Sequence, residues 1–327
     1  MIFKCKNCAG NMVYSPEKKQ MHCPYCDGLD CEEKLPGKGV EVCCNCGAPV
    51  MVTEYISACK CQSCGSYLIF EERISGESTP HLILPFKIGK EAVKQFLKNE
   101  FGKRLFVPDD FLSESKLESV EGMYVPFFMF DLHCNYDYQG NAKKVRSWSS
   151  GNTTYTETSI YFVTRNMDVE FNKMPVDASV GMDDFSMDLL EPYDYSALET
   201  FQEKYMSGFW GEKNSQTDEM LEPRVFAKAR SDADALVKAT ITGYDSISPT
   251  SIDVKFEKRE TNYALLPMWE YKYLYRNKKY SFFVNGQSGK IVGKTPLSVI
   301  KLIAYSATLF VGLASSAVAL ITLLEVL

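Results

Sequence analysis

Eight of the twelve cysteines in this chain fall into two copies of one pattern. Cys5, Cys8, Cys23 and Cys26 form the first copy. Cys43, Cys46, Cys61 and Cys64 form the second, each shifted by 38 residues, and both read C-x2-C, 14 residues, C-x2-C. A C-x2-C turn presents two thiolates on one side, and a hairpin that joins two such turns closes a tetrahedral metal site. Behind the second cysteine the backbone bends toward the sulfur and needs a glycine or a small residue. Ala9-Gly10, Asp27-Gly28, Gly47 and Gly65 stand there, with short strand-like runs at 12–14, 50–53 and 67–70. Each unit is too small for apolar burial alone to stabilise it, so metal must supply most of its folding free energy. The spacing predicts two zinc ribbons. Two disulfides per unit would suit a secreted protein, but no secretory signal precedes Cys5. Four cysteines per site leave no open coordination position, so the expectation is two structural Zn2+ ions.

The other end is apolar. Leu302 to Leu324 is a run of 23 residues without a charge. At about 1.5 Å per residue it matches the roughly 30 Å hydrocarbon core of a bilayer. Lys278, Lys279, Lys290, Lys294 and Lys301 precede it, and no Lys or Arg follows. The positive-inside tendency puts the amino-terminal bulk in the cytoplasm, where zinc-bound thiolates also persist. Ala304, Thr308, Gly312 and Ser316 form a small-residue line spaced by four, which suits a close contact with another membrane helix.

Proline- and glycine-containing links at 35–40 and 74–80 divide the remainder. The expected domains are a first ribbon (1–34), a second ribbon (41–72), a central α+β domain (80–296) and a transmembrane helix (299–325). Within the centre, Val93, Phe96, Leu97 and Phe101 have helical spacing. Strand-forming stretches run from Met123 to Tyr138, Thr153 to Asn172 and Ser251 to Tyr275. Leu198, Phe201, Tyr205 and Met206 fit one helix face; Val225, Phe226, Ala229, Ala233, Leu236 and Val237 fit another. Asn285-Gly286 and Ser288-Gly289 signal a final hairpin. Phe209-Trp210, between two glycines, reads as core rather than as an exposed tip.

Several motifs fail. Gly289 to Thr295 resembles the end of a phosphate loop, but Ser288 stands where its first glycine is required. His22, His81 and His133 are the only histidines, and no nucleophile-elbow motif accompanies them. Asp183, Asp184, Asp188 and Glu191 are too loosely spaced for a calcium loop. Of the remaining cysteines, Cys31, Cys44, Cys59 and Cys134, the last two read as small buried residues.

Electrostatics bear on the partner. Residues 1–80 hold 8 Lys or Arg and 10 Asp or Glu, and the whole chain carries a formal charge of −6. Four thiolates around one dication add about −2 per site, so the ribbon pair is acidic. Nucleic-acid affinity needs Lys and Arg against phosphates, so a protein partner fits better.

The chain resembles a bacterial, mainly Gram-positive, family of double zinc-ribbon membrane proteins. Its members are often labelled transcription-factor-IIB-type zinc-ribbon or primosomal-helicase-like proteins. The resemblance rests on the two cysteine sets and on ILPFKIGKEAV (83–93), GMYVPFFMFD (122–131), LEPYDYSALETF (190–201), LLPMWEYKY (265–273) and VNGQSGKIVGKTP (284–296). No Walker motif supports the helicase label. The resemblance implies association with membrane-stress machinery, including flotillin-like (SPFH) and phage-shock-type proteins, and it carries over no catalytic residue. The expected role is a non-enzymatic, tail-anchored, cytoplasm-facing adaptor that recruits protein partners to the inner membrane surface. The alternatives are a membrane-tethered nucleic-acid-binding protein and an enzyme or ligand-binding function in the central domain.

Overall fold

The computed structural model describes residues 1–326, side chains at 77 and 323–326 apart. The first cysteine unit is built from β1 (Ile2–Cys5), β2 (Val13–Ser15), β3 (Gln20–His22) and β4 (Glu32–Leu35), paired β1–β4 and β2–β3. The hairpin of the second is β5 (Ile56–Lys60) and β6 (Tyr67–Ile69). A mixed α and β body follows: β7 (Leu82–Ile83), α1 (Lys90–Phe101), α2 (Glu114–Leu117), β8 (Glu121–Ser150), β9 (Thr153–Asp177), α3 (Asp184–Leu190), β10 (Glu199–Thr200), β11 (Trp210–Glu212), α4 (Asp218–Thr240), β12 (Ser246–Tyr275), β13 (Lys278–Asn285) and β14 (Ile291–Gly293). The last helix is α5 (Val299–Val326).

Two strands of 30 residues, β8 and β12, run antiparallel to one another and organise everything else. Each changes its outer neighbour part-way along. Near its start β8 pairs with β11 in parallel at Met123 and Tyr124; from Phe127 onward it pairs with β9. The outer side of β12 pairs with β7 at Ala264 and Leu265, then with β13 from Met268. A proline stands at each switch, Pro126 and Pro267. Their carbonyls face outward, accepting from the Ala178 and Gly286 N–H groups, so the ladder position each leaves without a donor is the gap between two neighbours. Proline in the middle of a sheet strand is tolerated only where no donor is required.

The sheet thus has a broad base and a narrow arm. One face of the base carries α1 and a dense aromatic cluster, with Phe101, Phe111, Tyr271 and Phe282 all buried and Phe111 about 5 Å from Phe282. The other face packs Met123, Val125, Leu266 and Met268 against Met187 and Leu190 of α3. The second cysteine unit is part of this sheet, because β5 pairs with β11. The first joins the main core, where Cys5, Met12, Tyr14 and Cys23 are buried beside Tyr205, Met206 and Phe209.

The arm is the three-stranded ribbon β9–β8–β12, turning through Gly151-Asn152 with Gly151 at φ 60°. From Asp131 to Ser150 it extends roughly 65 Å at about 3.3 Å per residue. Helix α4 lies along one face. Leu221, Val225, Ala229, Ala233 and Val237, every fourth residue, are buried against Phe130, Leu132, Cys134, Tyr136 and Val163. The Thr217 hydroxyl caps its start, accepting from the Met220 N–H at 3.4 Å. The opposite face is a polar ladder in which His133 faces Glu170, and Asn135 faces Asp168 at 3.0 Å.

Two sequence expectations change and one holds. Leu198 to Met206 is not a helix. The segment holds the two-residue β10 and one 3-10 turn, Glu203–Met206, and its apolar residues face distant partners, Tyr205 meeting Tyr14 with centroids 5.0 Å apart. The arm strands run well past the expected boundaries, because the polar stretch at 139–150 is held by ladder pairing with β9 and not by burial. Phe209 is core, stacked on Phe86 at 4.0 Å, as expected.

Helix α5 is long and apolar enough to cross a membrane over Val299–Thr322, and none of that window is buried. Its root is tied to the body. The Ser298 N–H donates to the Phe106 carbonyl at 2.7 Å, Lys301 Nζ to the Val107 carbonyl at 2.8 Å, and Tyr305 packs edge-on against Phe106.

Truncating Phe111, which is fully buried between α1 and the sheet, leaves a cavity. The Phe111→Ala chain is expected to lose about 3–5 kcal/mol in a urea titration, the range for buried aromatic-to-alanine changes.

Candidate metal centres

Four turns of one shape hold the eight cysteines. In each, the N–H of the leading cysteine donates to the carbonyl five residues on: Cys5 to Gly10, Cys23 to Gly28, Cys43 to Ala48 and Cys61 to Ser66, all at 2.8–2.9 Å. The N–H of the fourth residue returns to the cysteine carbonyl, from Ala9, Asp27, Gly47 and Gly65. Those four residues all have positive φ, between 56° and 74°. The sequence expectation of a small residue or glycine at this bend is met by Ala9, Gly47 and Gly65; at the fourth bend Asp27, and not Gly28, takes the positive φ, so the second unit bears the less strained pair.

The turns face one another in pairs. Cys5, Cys8, Cys23 and Cys26 bring their sulfurs within 4.8 Å of one another, and so do Cys43, Cys46, Cys61 and Cys64. Individual separations are 3.6 Å for Cys5–Cys26, 3.5 Å for Cys8–Cys23, 3.7 Å for Cys43–Cys64 and 3.9 Å for Cys46–Cys61. A tetrahedral ion with metal–sulfur bonds of about 2.3 Å requires sulfurs about 3.8 Å apart. All eight cysteines are free thiols. The donor set therefore fits a metal ion at each centre.

The electrostatics agree. Desolvation opposes ionisation of Cys5, but the N–H groups of Asn7 and Cys8, with the Cys31 and Cys26 thiols, outweigh it and bring Cys5 down to about 6. Desolvation likewise opposes ionisation of Cys64, and the Ser66 hydroxyl and N–H, with the Asn45 amide, lower it to about 6. The partners move the other way. Desolvation, followed by the Cys46 and Cys61 thiols, outweighs N–H donation and pushes Cys43 up to about 12. One thiolate per cluster thus forms easily and resists the next. A dication among the four removes that penalty, since it deprotonates the thiols it binds.

The two centres are linked to each other and to the body. Ser66 Oγ donates to Asn11 Oδ1 at 3.0 Å, and Asn45 Nδ2 donates to Ser66 Oγ at 2.9 Å, which joins the two units. The Tyr14 N–H donates to the Ser207 carbonyl at 2.7 Å, and Ser207 Oγ to the Met12 carbonyl at 2.8 Å.

Other sequence candidates are dispersed. His22 turns away from the sulfurs and meets Asp27 at 2.9 Å. Cys59 and Cys134 are buried. Cys31 was not assigned from sequence, yet its sulfur lies 3.5 Å from that of Cys5, as a fifth thiol beside the first centre. No spacing rule would have found it, because β4 carries it back alongside β1. Ala304, Thr308, Gly312 and Ser316 lie on the exposed helix α5, and a Cβ at Gly312 would meet open space.

A cleft of about 820 Å³ opens between α3, β11 and the β13–β14 hairpin. Met123, Trp210 and Phe283 line it, together with the carboxylates of Glu121, Asp183, Glu212 and Glu270 and the amines of Lys272, Lys278, Lys279 and Lys294. Burial pushes the Glu212 carboxyl up, while the Ser179 hydroxyl donating at 2.6 Å opposes that rise.

The chain is 33% identical over 314 residues to a Bacillus subtilis (strain 168) protein designated "Uncharacterized protein YdjG", with 93% of this chain and 92% of that one covered. The chain belongs to the YdjG family. No family model matches it, and no solved structure does.

Cys23→Ser or Cys61→Ser is expected to lower bound metal from two ions per chain to one, measured by inductively coupled plasma mass spectrometry. Cys44→Ser should keep both. A Cys61→Ser chain that still holds two ions would remove Cys61 from the ligand set.

Proposed function

We propose that this protein is a membrane-anchored scaffold whose cysteine centres hold structural zinc and whose body and arm present binding surfaces to protein partners in the cytoplasm. The observation that carries the reading is the root of α5. A helix apolar enough to span a bilayer leaves the body through contacts of Ser298, Lys301 and Tyr305, so the body is held at the point where the helix begins. Lysines at 278, 279, 290, 294 and 301 favour the cytoplasmic side by the positive-inside tendency. Zinc suits four thiolates in a tetrahedron better than the hard cations do. With all four positions filled by sulfur, each ion would act on folding and not on a substrate. The resemblance to zinc-ribbon membrane proteins adds membrane-stress proteins of the SPFH and phage-shock types as candidate partners. No catalytic role is assigned.

The test is mass spectrometry of proteins cross-linked to the full chain in native membranes, beside the same chain carrying Cys61→Ser. The reading expects a defined protein partner that is lost or reduced in the variant. Capture of nucleic acid in its place, released by salt, would contradict it.

The cleft favours a second reading, a small-ligand site in the body. It gathers side chains from Ile56 to Lys294, apolar ones among them, with four lysines and several carboxylates. Native mass spectrometry of membrane-extracted protein should then show a bound amphiphile that Lys279→Glu/Lys294→Glu removes. A clean apo mass in both proteins would dispose of this reading.

A further inference from the structure

The arm has two long edges, and they differ. The outer edge of β12 between Ser246 and Arg259 carries Pro249, register breaks at Pro249/Ser251 and Lys258/Glu260, and the charged Lys255, Lys258 and Arg259. Proline, bulges and lysine are the devices by which an exposed edge strand avoids pairing with another chain. The outer edge of β9 has none of them. From Thr153 to Phe171 there is no proline, no lysine and no register break, and the composition is rich in Thr, Tyr, Ile, Phe and Val. Among the described residues β9 pairs only with β8. Ile160 and Phe162 are each 64% exposed, next to Tyr161 and Tyr155, which are also exposed. A long, undefended edge with strong β-formers is a template for strand addition.

The sequence of that edge specifies what it accepts. Antiparallel pairing of β9 with itself about Tyr161 sets partners whose numbers sum to 322. Ile160 then faces Phe162 of the other copy twice, and Thr158 faces Thr164 twice. Glu157 faces Arg165 twice, so the only charges between Thr153 and Met167 are matched with opposite sign across the symmetry axis. A shift of the register in either direction loses both Glu157–Arg165 pairs, so the charges select this alignment among the apolar ones. We infer that β9 pairs edge to edge with β9 of a second copy of this chain, antiparallel and centred on Tyr161, extending each arm into a continuous six-stranded sheet. The contact is isologous, so two copies consume both open edges and the assembly closes at two. Thr153 of one copy faces Val169 of the other, so the paired stretch ends before the bulge at Lys173 and leaves the base free. This inference requires neither the metal nor the partner reading above.

The experiment uses the full chain in detergent micelles or nanodiscs, with mass measured by light scattering over a dilution series. The wild-type chain is expected to be a dimer that dissociates on dilution. Glu157→Arg and Arg165→Glu each place like charges opposite one another at both symmetric pairs and should each weaken the dimer about tenfold. The double variant Glu157→Arg/Arg165→Glu should return to within about threefold of wild type. Arg165 also donates to Thr240 Oγ1 at 3.1 Å, so a second probe leaves it intact. With the photoreactive p-benzoylphenylalanine at position 161, irradiation should yield a covalent dimer whose cross-link maps to residues 159–163 of the other copy. A monomer at every concentration, a dimer indifferent to the charge reversals, or a cross-link to another protein or another surface would each overturn the inference.

Discussion

Four thiolates within 4.8 Å of one another repel unless a cation stands among them, and this chain gathers four cysteine sulfurs in that way twice. The consequence reaches beyond the cysteine turns. The first unit contributes Cys5, Met12, Tyr14 and Cys23 to the same buried cluster as Phe86, Tyr124 and Trp269. The second contributes β5 to the sheet through β11. Small units that cannot fold on apolar burial are here built into the core of a larger body, so an ion that closed them would also complete the body.

From that base the molecule is organised by where β8 and β12 change neighbours. Pro126 and Pro267 mark the positions at which short base strands give way to longer ones. Beyond Pro126 the sheet narrows to three strands and gains α4, whose alanines at 229 and 233 let the helix lie close to the sheet. The base, with the cysteine centres built into it, and the projecting arm are thus distinct mechanical parts of one chain. The base holds the root of α5, and the arm carries exposed apolar side chains far from it.

Much of this was legible in the sequence, and what was not has a physical reason. The cysteine spacing located both centres residue by residue, because metal geometry acts over a few residues. The spacing of Val93, Leu97 and Phe101, and of Val225, Ala229, Ala233 and Val237, located α1 and α4, since each helix buries one face against the sheet. The 198–206 segment misled because its apolar side chains obey partners nearly 200 residues away in sequence, Tyr14 among them, and their helical spacing is incidental. The arm beyond Tyr138 was hidden because polar strands held by ladder hydrogen bonds leave little hydrophobic alternation. The three-residue β11, which joins the second cysteine unit to β8, is too short to carry any pattern. Cys31 was missed for the same kind of reason: pairing of β1 with β4, not spacing, brings it to the first centre.

The measurement that tests this account most directly is amide hydrogen exchange of the full chain before and after removal of metal with a chelator. The account predicts faster exchange in β1–β6 and, through Tyr14–Ser207 and β5–β11, in the body segment Glu203–Glu212, while the strands under α4 keep their protection. Unchanged exchange across Glu203–Glu212 after complete metal loss would contradict it, because the cysteine centres would then be appendages and not part of the core.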